Sequence, residues 1–271
     1  MAAPASSSPG DNWDPTQYSR FASERAQPFF DLLDMVAAVP GGDVVDLGCG
    51  TGELTVALHE HSRARTTVGI DSSEAMLSRA TPLAGNGLRF ELGDINSLRG
   101  EDSFDVLFAN ASLQWVPDHP RLLRELAARL RPHGQLAVQV PANGDHPSHA
   151  LADELARQPP FSECLEADTT VGAPVVCPPE RYAELLNTIG FCDQQVRLQV
   201  YGHRLASVEE VIEWTKGTTL LRFKAALPPE LYDLFLARYR QRLAEVLGNE
   251  SPYFYTFKRI LFWARLPEHQ D

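Results

Sequence analysis

Apolar positions along this chain come in short runs separated by longer amphipathic stretches, the pattern of strands alternating with helices. Val44, Val45 and Leu47 frame Asp46 and run into Gly48, Gly50 and Gly52, after which Glu53 to Leu58 propagates a helix. Further strands are expected over Thr66 to Ile70, ending at Asp71, over Leu88 to Leu92, running into Gly93-Asp94-Ile95, and over Phe104 to Ala109, ending at Asn110. Asp118 can cap a helix with Pro120 in its first turn and an apolar stripe of Leu122, Leu123, Leu126 and Leu130, stopped by Arg131-Pro132-His133-Gly134. A fifth strand follows from Gln135 to Val140. Such alternation builds an α/β fold, a parallel sheet covered on both faces with ligands at the carboxyl ends of its strands. Asp46, Asp71, Asp94 and Asn110 all fall at or near such ends.

The alternation then breaks. Pro147 to Arg157 and Glu180 to Ile189 read as helices, with Pro159-Pro160 and the Pro174 to Pro179 stretch as loop. Val196, Leu198 and Val200 alternate with polar residues as a strand, and Tyr253 to Leu266 supplies a last one rich in aromatics. Between them, a helix from Pro229 to Leu247 is expected to bury Leu231, Leu234, Phe235, Leu243, Val246 and Leu247. Segments of about 143–178 and 207–250 therefore stand outside the sheet as helical inserts, placed to cap a site.

The chemistry is concentrated in the run Val44 to Thr55. Glycine serves where the backbone takes positive φ or must approach a ligand without a Cβ, and the helix start beyond it offers free N–H groups. A dinucleotide turn wants G-x-G-x-x-G, but the third glycine here comes one residue early and Glu53 stands where that motif's last glycine belongs. No Gly-Lys-Ser/Thr follows, so a phosphate loop fails as well. Acidic Asp46 and Glu53 would repel a pyrophosphate but suit a ligand carrying an amine and a sulfonium charge, such as S-adenosylmethionine.

This turn resembles the first motif of the class I S-adenosylmethionine-dependent methyltransferases. Within them the chain is similar to the trans-aconitate 2-methyltransferase family from Trp13 to Leu266. The likeness rests on Trp13-Asp14-Pro15 with Tyr18, Phe21 and Arg25, on the run Phe108 to His119 containing Asn-Ala-Ser-Leu-Gln-Trp, on Pro141-Ala142-Asn143 with Pro147-Ser148-His149, and on Phe257 to Phe262. Two departures bear on the substrate: Gln27 stands where the family usually has an arginine, and Arg222 comes one residue late.

The resemblance implies a Rossmann-like class I methyltransferase fold, a mostly parallel seven-stranded sheet with an antiparallel last strand and helical cap inserts. It implies S-adenosyl-L-methionine bound by Asp46, Gly48, Cys49, Gly50, Gly52, Asp71, Ser72, Asp94, Ile95 and Asn110. Asp71 is placed to accept both ribose hydroxyls and Gly93-Asp94-Ile95 matches the adenine-edge segment. Trp13, Tyr18, Arg25, Gln114, Trp115, His149, Arg222 and Arg259 become candidates for the substrate, a small polycarboxylic acid with trans-aconitate first. Another carboxylic metabolite, a carrier-bound malonyl group, or a cofactor-binding regulatory protein without turnover are the alternatives. No catalytic base is expected, because a carboxylate is already anionic at neutral pH.

Charge narrows the partners. With 24 Lys and Arg among 36 Asp and Glu, and a formal net charge of −12, the 271-residue chain lacks the clustered positive surface that nucleic acid requires. The same field opposes anions at long range, so a polycarboxylate needs a local arginine cluster. No apolar stretch reaches the length of a membrane span. Residues 1–12 read as a disordered tail and 13–271 as a single domain. Cys49, Cys164, Cys177 and Cys192 show no paired spacing for zinc, and no metal is expected. The expectation is a cytoplasmic, monomeric enzyme.

Overall fold

The computed structural model describes residues 22–95, 103–165 and 176–268, with side chains from residue 26 onward. Short β-branched and leucine-rich runs become the strands β1 (Asp43–Leu47), β2 (Thr66–Asp71), β3 (Leu88–Leu92), β4 (Phe104–Asn110) and β5 (Leu130–Pro141). Two longer strands, β6 (Asp193–Leu205) and β7 (Tyr253–Arg265), complete a seven-stranded sheet in the order β3-β2-β1-β4-β5-β7-β6. All pairings among the first five strands are parallel, and β7 runs antiparallel to both neighbours. The strand order reverses between β1 and β4, so the crevice beyond Leu47 and Asn110 is the place where a doubly wound sheet takes a ligand.

Period-two alternation sends successive side chains to opposite faces. Val45, Leu47, Leu107, Ala109, Leu136 and Val138 pack under α4 (His119–Ala127) and α7 (Pro179–Ile189). Their neighbours Val44, Val106, Phe108 and Ala137 pack on the other face with Phe29, Leu32 and Leu33 of α1 (Ala22–Leu33) and Leu58 of α2 (Glu53–Ser62). The helix α3 (Glu74–Ala80) is capped by Ser73, whose hydroxyl accepts from the Met76 N–H.

Helices on either side of β6 build a further core. These are α5 (Pro147–Ala156) and α6 (Phe161–Cys164) before it, then α8 (Val208–Lys216), α9 (Leu221–Ala226) and α10 (Pro229–Leu247) after it. Leu151, Leu155, Trp214, Phe223, Phe235 and Tyr239 meet there with Tyr255 and Phe257 of β7. No helix of the described residues is long and apolar enough to cross a membrane.

Two expectations need correction, and β6 buries the parity opposite to the one that carries Val196, Leu198 and Val200. Leu130 is not helical: α4 ends at Ala127, and the Phe104 N–H donates to the Arg129 carbonyl at 2.8 Å, drawing the chain into β5 five residues early. On α10 the buried stripe is Tyr232, Phe235, Tyr239 and Leu243, leaving Leu234 and Val246 exposed, because bulky aromatics at the same helical spacing fill the groove above α5. On β6 the apolar Leu198 and Val200 are exposed, while Tyr201 and Leu205 of the other parity are buried. Tyr201 wins that face by donating its hydroxyl to Asp31 Oδ2 at 2.7 Å while its ring joins the core beside α1.

Candidate active site

The three glycines of the turn after β1 all have positive φ, at 78°, 57° and 83° for Gly48, Gly50 and Gly52. Two of them are needed for packing. A Cβ on Gly48 would stand 2.4 Å from the Ser112 Cβ, and one on Gly52 would meet Ala80 and Phe90 at 2.8 Å. Gly50 differs, since nothing lies within 4 Å of where its Cβ would be, and its backbone faces open space. The Gly50 N–H donates to Asp71 Oδ2 at 2.8 Å and the Ser73 N–H to Asp71 Oδ1 at 2.9 Å, so the carboxylate is fixed while each oxygen keeps a lone pair for an incoming hydroxyl.

One cavity lies over this turn. All ten residues expected on the cofactor line it: Asp46, Gly48, Cys49, Gly50, Gly52, Asp71, Ser72, Asp94, Ile95 and Asn110. Phe29, Met76 and Ser112 also line it and were not foreseen. Phe29 arrives from α1 by tertiary packing with no local signal, whereas Ser112 belongs to the quoted Asn-Ala-Ser run and its hydroxyl donates to the Leu47 carbonyl at 2.5 Å.

Electrostatics separates the acids of this cavity. Asp46 is buried, and desolvation, reinforced by the Asp71 charge, pushes its carboxyl up to about 7 despite the hydrogen bond it accepts from Thr55 Oγ1 at 2.7 Å. The Cys49 thiol is driven upward by burial and by the Asp46 and Asp71 carboxylates, which keeps it protonated and unreactive. Asn110 Oδ1 is a buried acceptor without a hydrogen-bond partner among the described residues. A carboxylate set for a diol, an open glycine and an orphaned acceptor fit a ribosyl ligand bearing a cationic amine, as S-adenosyl-L-methionine does.

A second cavity adjoins the first, sharing Asn110, Ala111 and Trp115 in its wall. Gln114, Trp115, His149, Arg222 and Arg259, expected on the substrate, all line it, although they come from four separate parts of the chain. Trp13 and Tyr18 lie outside the described residues, and Arg25 sits on α1 with its side chain outside them as well.

Each lining group is held by its own element. Arg259 of β7 is 5% exposed, donates from Nη1 to Gln139 Oε1 at 3.2 Å and lies 4.7 Å from the Phe257 ring centre. Arg222 of α9 pairs with Asp153 of α5 and stacks on Phe223. His149 approaches the Phe257 ring edge, and desolvation, together with His146 and Arg222, pushes its imidazole down to about 3, so it is neutral at physiological pH. Gln114 donates to the Ala111 carbonyl at 2.7 Å, leaving its buried Oε1 without a partner among the described residues.

Asn143, Asp145, Asp153 and Lys258 also line it and were missed as site residues. The signals were present. Asp153 follows His149 by four residues on an expected helix, hence on the same face, and Asn143 and Lys258 stand within or beside runs already singled out. Behind the wall, His119 Nδ1 meets the Tyr182 hydroxyl at 2.6 Å and His119 Nε2 meets the Leu113 carbonyl at 2.9 Å. The Tyr182 oxygen in turn accepts from the Cys177 N–H at 3.2 Å. This buried chain ties the turn carrying Gln114 and Trp115 to the stretch at Cys177, which also lines the cavity.

Comparison with known proteins agrees with this arrangement. A family model described as a methyltransferase domain matches residues 38–222. Trans-aconitate 2-methyltransferase of Deinococcus radiodurans is 45% identical over 258 residues, covering 94% of this chain and 99% of that protein. The protein of the same name from Methylobacterium nodulans is 41% identical over 240 residues, covering 89% and 92%. Among solved structures, the YcgJ protein of Bacillus subtilis superposes with a TM-score of 0.61 at 15% identity, over 90% of this chain and all of that one. Haemonchus contortus phosphoethanolamine N-methyltransferase 2, solved with S-adenosyl-L-methionine, gives 0.57 at 17% identity over 97% of this chain and 61% of that one. These two show the fold, and the identity to the first two, sustained over nearly their full length, shows that the chain belongs to the trans-aconitate 2-methyltransferase family.

Proposed function

We propose that this protein transfers the methyl group of S-adenosyl-L-methionine to a carboxylate of trans-aconitate, giving a monomethyl ester and S-adenosylhomocysteine. The observation that carries the reading is the meeting of two unlike cavities at the wall of Asn110, Ala111 and Trp115, one built on the glycine turn and Asp71, the other walled by Arg222, Arg259 and Lys258. Bound there, the cofactor supplies a methyl carbon on a sulfonium: a carboxylate oxygen bonds to that carbon as the carbon–sulfur bond breaks and its electron pair returns to sulfur.

The residues of the chain bind and orient. Asp71 holds the ribose end and Asn110 offers an acceptor at the junction. Trp115, in both walls, limits water where the reacting atoms meet. Arg259 grips a spectator carboxylate, for which a planar fork is better suited than an ammonium. His149, being neutral, adds no competing charge and takes no proton, and none needs taking because the acceptor is already ionised. Positioning of this kind supplies on the order of 7 to 11 kcal/mol of barrier lowering. The helices of residues 147–164 and 208–247 serve as the cap over the acceptor.

Incubation with S-adenosylmethionine carrying a deuterated methyl group and a panel of di- and tricarboxylic acids, read by mass spectrometry, tests the proposal. Labelled monomethyl trans-aconitate as the dominant product is the expected result. Labelling of another acid in its place overturns the substrate assignment, and no labelled ester at all overturns the activity.

A further inference from the structure

The acceptor cavity carries an acid where an anion is to bind. Among the described residues, its charged lining comprises the cations Arg222, Lys258 and Arg259 and the carboxylates Asp145 and Asp153, with His149 neutral. Both acids are engaged, Asp145 with Lys258 and Asp153 with Arg222. The described lining thus presents a net single positive charge to an acid that carries three negative ones.

The two ion pairs are not alike. The Arg222 side chain is 10% exposed and stacks on Phe223, and its buried Nε has no hydrogen-bond partner among the described residues. Asp153 is 40% exposed, on the cavity side of α5 one turn beyond His149. A guanidinium so deeply placed is costly without a counter-ion, and Asp153 supplies one while the cavity holds no acid. The carboxylate is the more solvated member of the pair and the arginine the more enclosed one. An incoming carboxylate offers the guanidinium the same kind of anionic partner and competes for it.

We propose that Asp153 is a specificity-determining residue, an internal counter-ion that occupies Arg222 and must yield to a spectator carboxylate of the acceptor, an inference resting on the carboxylic acceptor proposed above. Asp153 then lowers affinity for every acid that needs Arg222, and most for the acids with the most carboxylates. An acid satisfied by Arg259 alone does not meet this competition. A purely structural role makes the opposite prediction, since an Asp153 that only orients Arg222 should assist binding.

Binding of tricarballylate and of glutarate, a tri- and a dicarboxylate, is measured in the presence of S-adenosylhomocysteine from the fluorescence of Trp115 and Trp214, which line the cavity. Asp153→Asn should bind tricarballylate roughly three- to tenfold more tightly, with a smaller change for glutarate. The gain should vanish in the Arg222→Gln background. Glu154→Gln removes the same charge from a neighbouring position whose carboxylate pairs with Arg242 outside the cavity, and should leave both affinities unchanged. Tricarballylate affinity in Asp153→Asn that is unchanged or weaker overturns the counter-ion role, as does a gain of equal size in Glu154→Gln. If the wild-type protein and Asp153→Asn both fail to bind either acid, the carboxylic acceptor itself falls, and the inference with it.

Discussion

Asp46 and Arg259 are charge-bearing side chains taken almost wholly out of water, at 3% and 5% exposure. A carboxyl raised to about 7 is largely protonated below that pH, and a bound amine cation reverses the balance by favouring the ionised form. Cofactor binding should therefore release a proton, and S-adenosylhomocysteine affinity should rise with pH up to about 7 and level off above it. Titration calorimetry in buffers of different ionisation enthalpy reads the proton directly, and Asp46→Asn should flatten the dependence. Arg259 makes a complementary test on the acceptor side. Arg259→Met keeps the stem and removes the fork, so kcat/KM for trans-aconitate should fall by roughly 2 to 4 kcal/mol equivalents while cofactor affinity holds. A silent substitution would make Arg259 a structural partner of Gln139 and Phe257.

Among the elements, α4 and α7 are joined by the His119–Tyr182 contact more specifically than by their apolar packing. With His119 Nε2 donating to the Leu113 carbonyl, Nδ1 must accept from the Tyr182 hydroxyl, and burial lowers the imidazole's basicity so that this tautomer persists. Tyr182→Phe takes the partner from the buried Nδ1 acceptor and from the Cys177 N–H and should cost about 1 to 3 kcal/mol of stability, read as a lowered denaturant midpoint. KM for the acceptor should rise as well, because the Cys177 loop loses its anchor; a change in midpoint alone would confine the pair to stability. The glycine turn and the strand ends were legible in the sequence because their signals are local: a residue type at fixed spacing dictates φ, and a strand's end dictates where its last carboxylate points. The exposed faces of β6 and α10 were not, since which parity or stripe is buried depends on partners distant in sequence. The joining of Arg222 to Asp153 was invisible for the same reason.

Across the whole molecule, the site occupies one end of the sheet and a salt-bridge cluster the other. Asp43 at the start of β1 accepts from Thr66, Arg65 and Arg131, and Arg131 also reaches Asp105 of β4. Burial alone would raise the Asp43 carboxyl, but these hydrogen bonds overcome it and hold it at about 2, against an ordinary 3.8. A carboxyl with a lowered native pKa contributes stability that is present above its unfolded value and is lost as pH falls through the native one. Asp43→Asn should therefore flatten the loss of stability between about pH 4 and 2, seen in thermal melts across that range, and leave S-adenosylhomocysteine affinity at neutral pH intact. The molecule's two kinds of core have a longer reach. Donor-side residues stand on the sheet, whereas Asp153 and Arg222 stand on helices with apolar packing of their own around Trp214 and Tyr239. In descent this uncouples two inventions: a lineage can recruit a new acid by altering the helical layer while the machinery that holds the methyl donor is inherited unchanged.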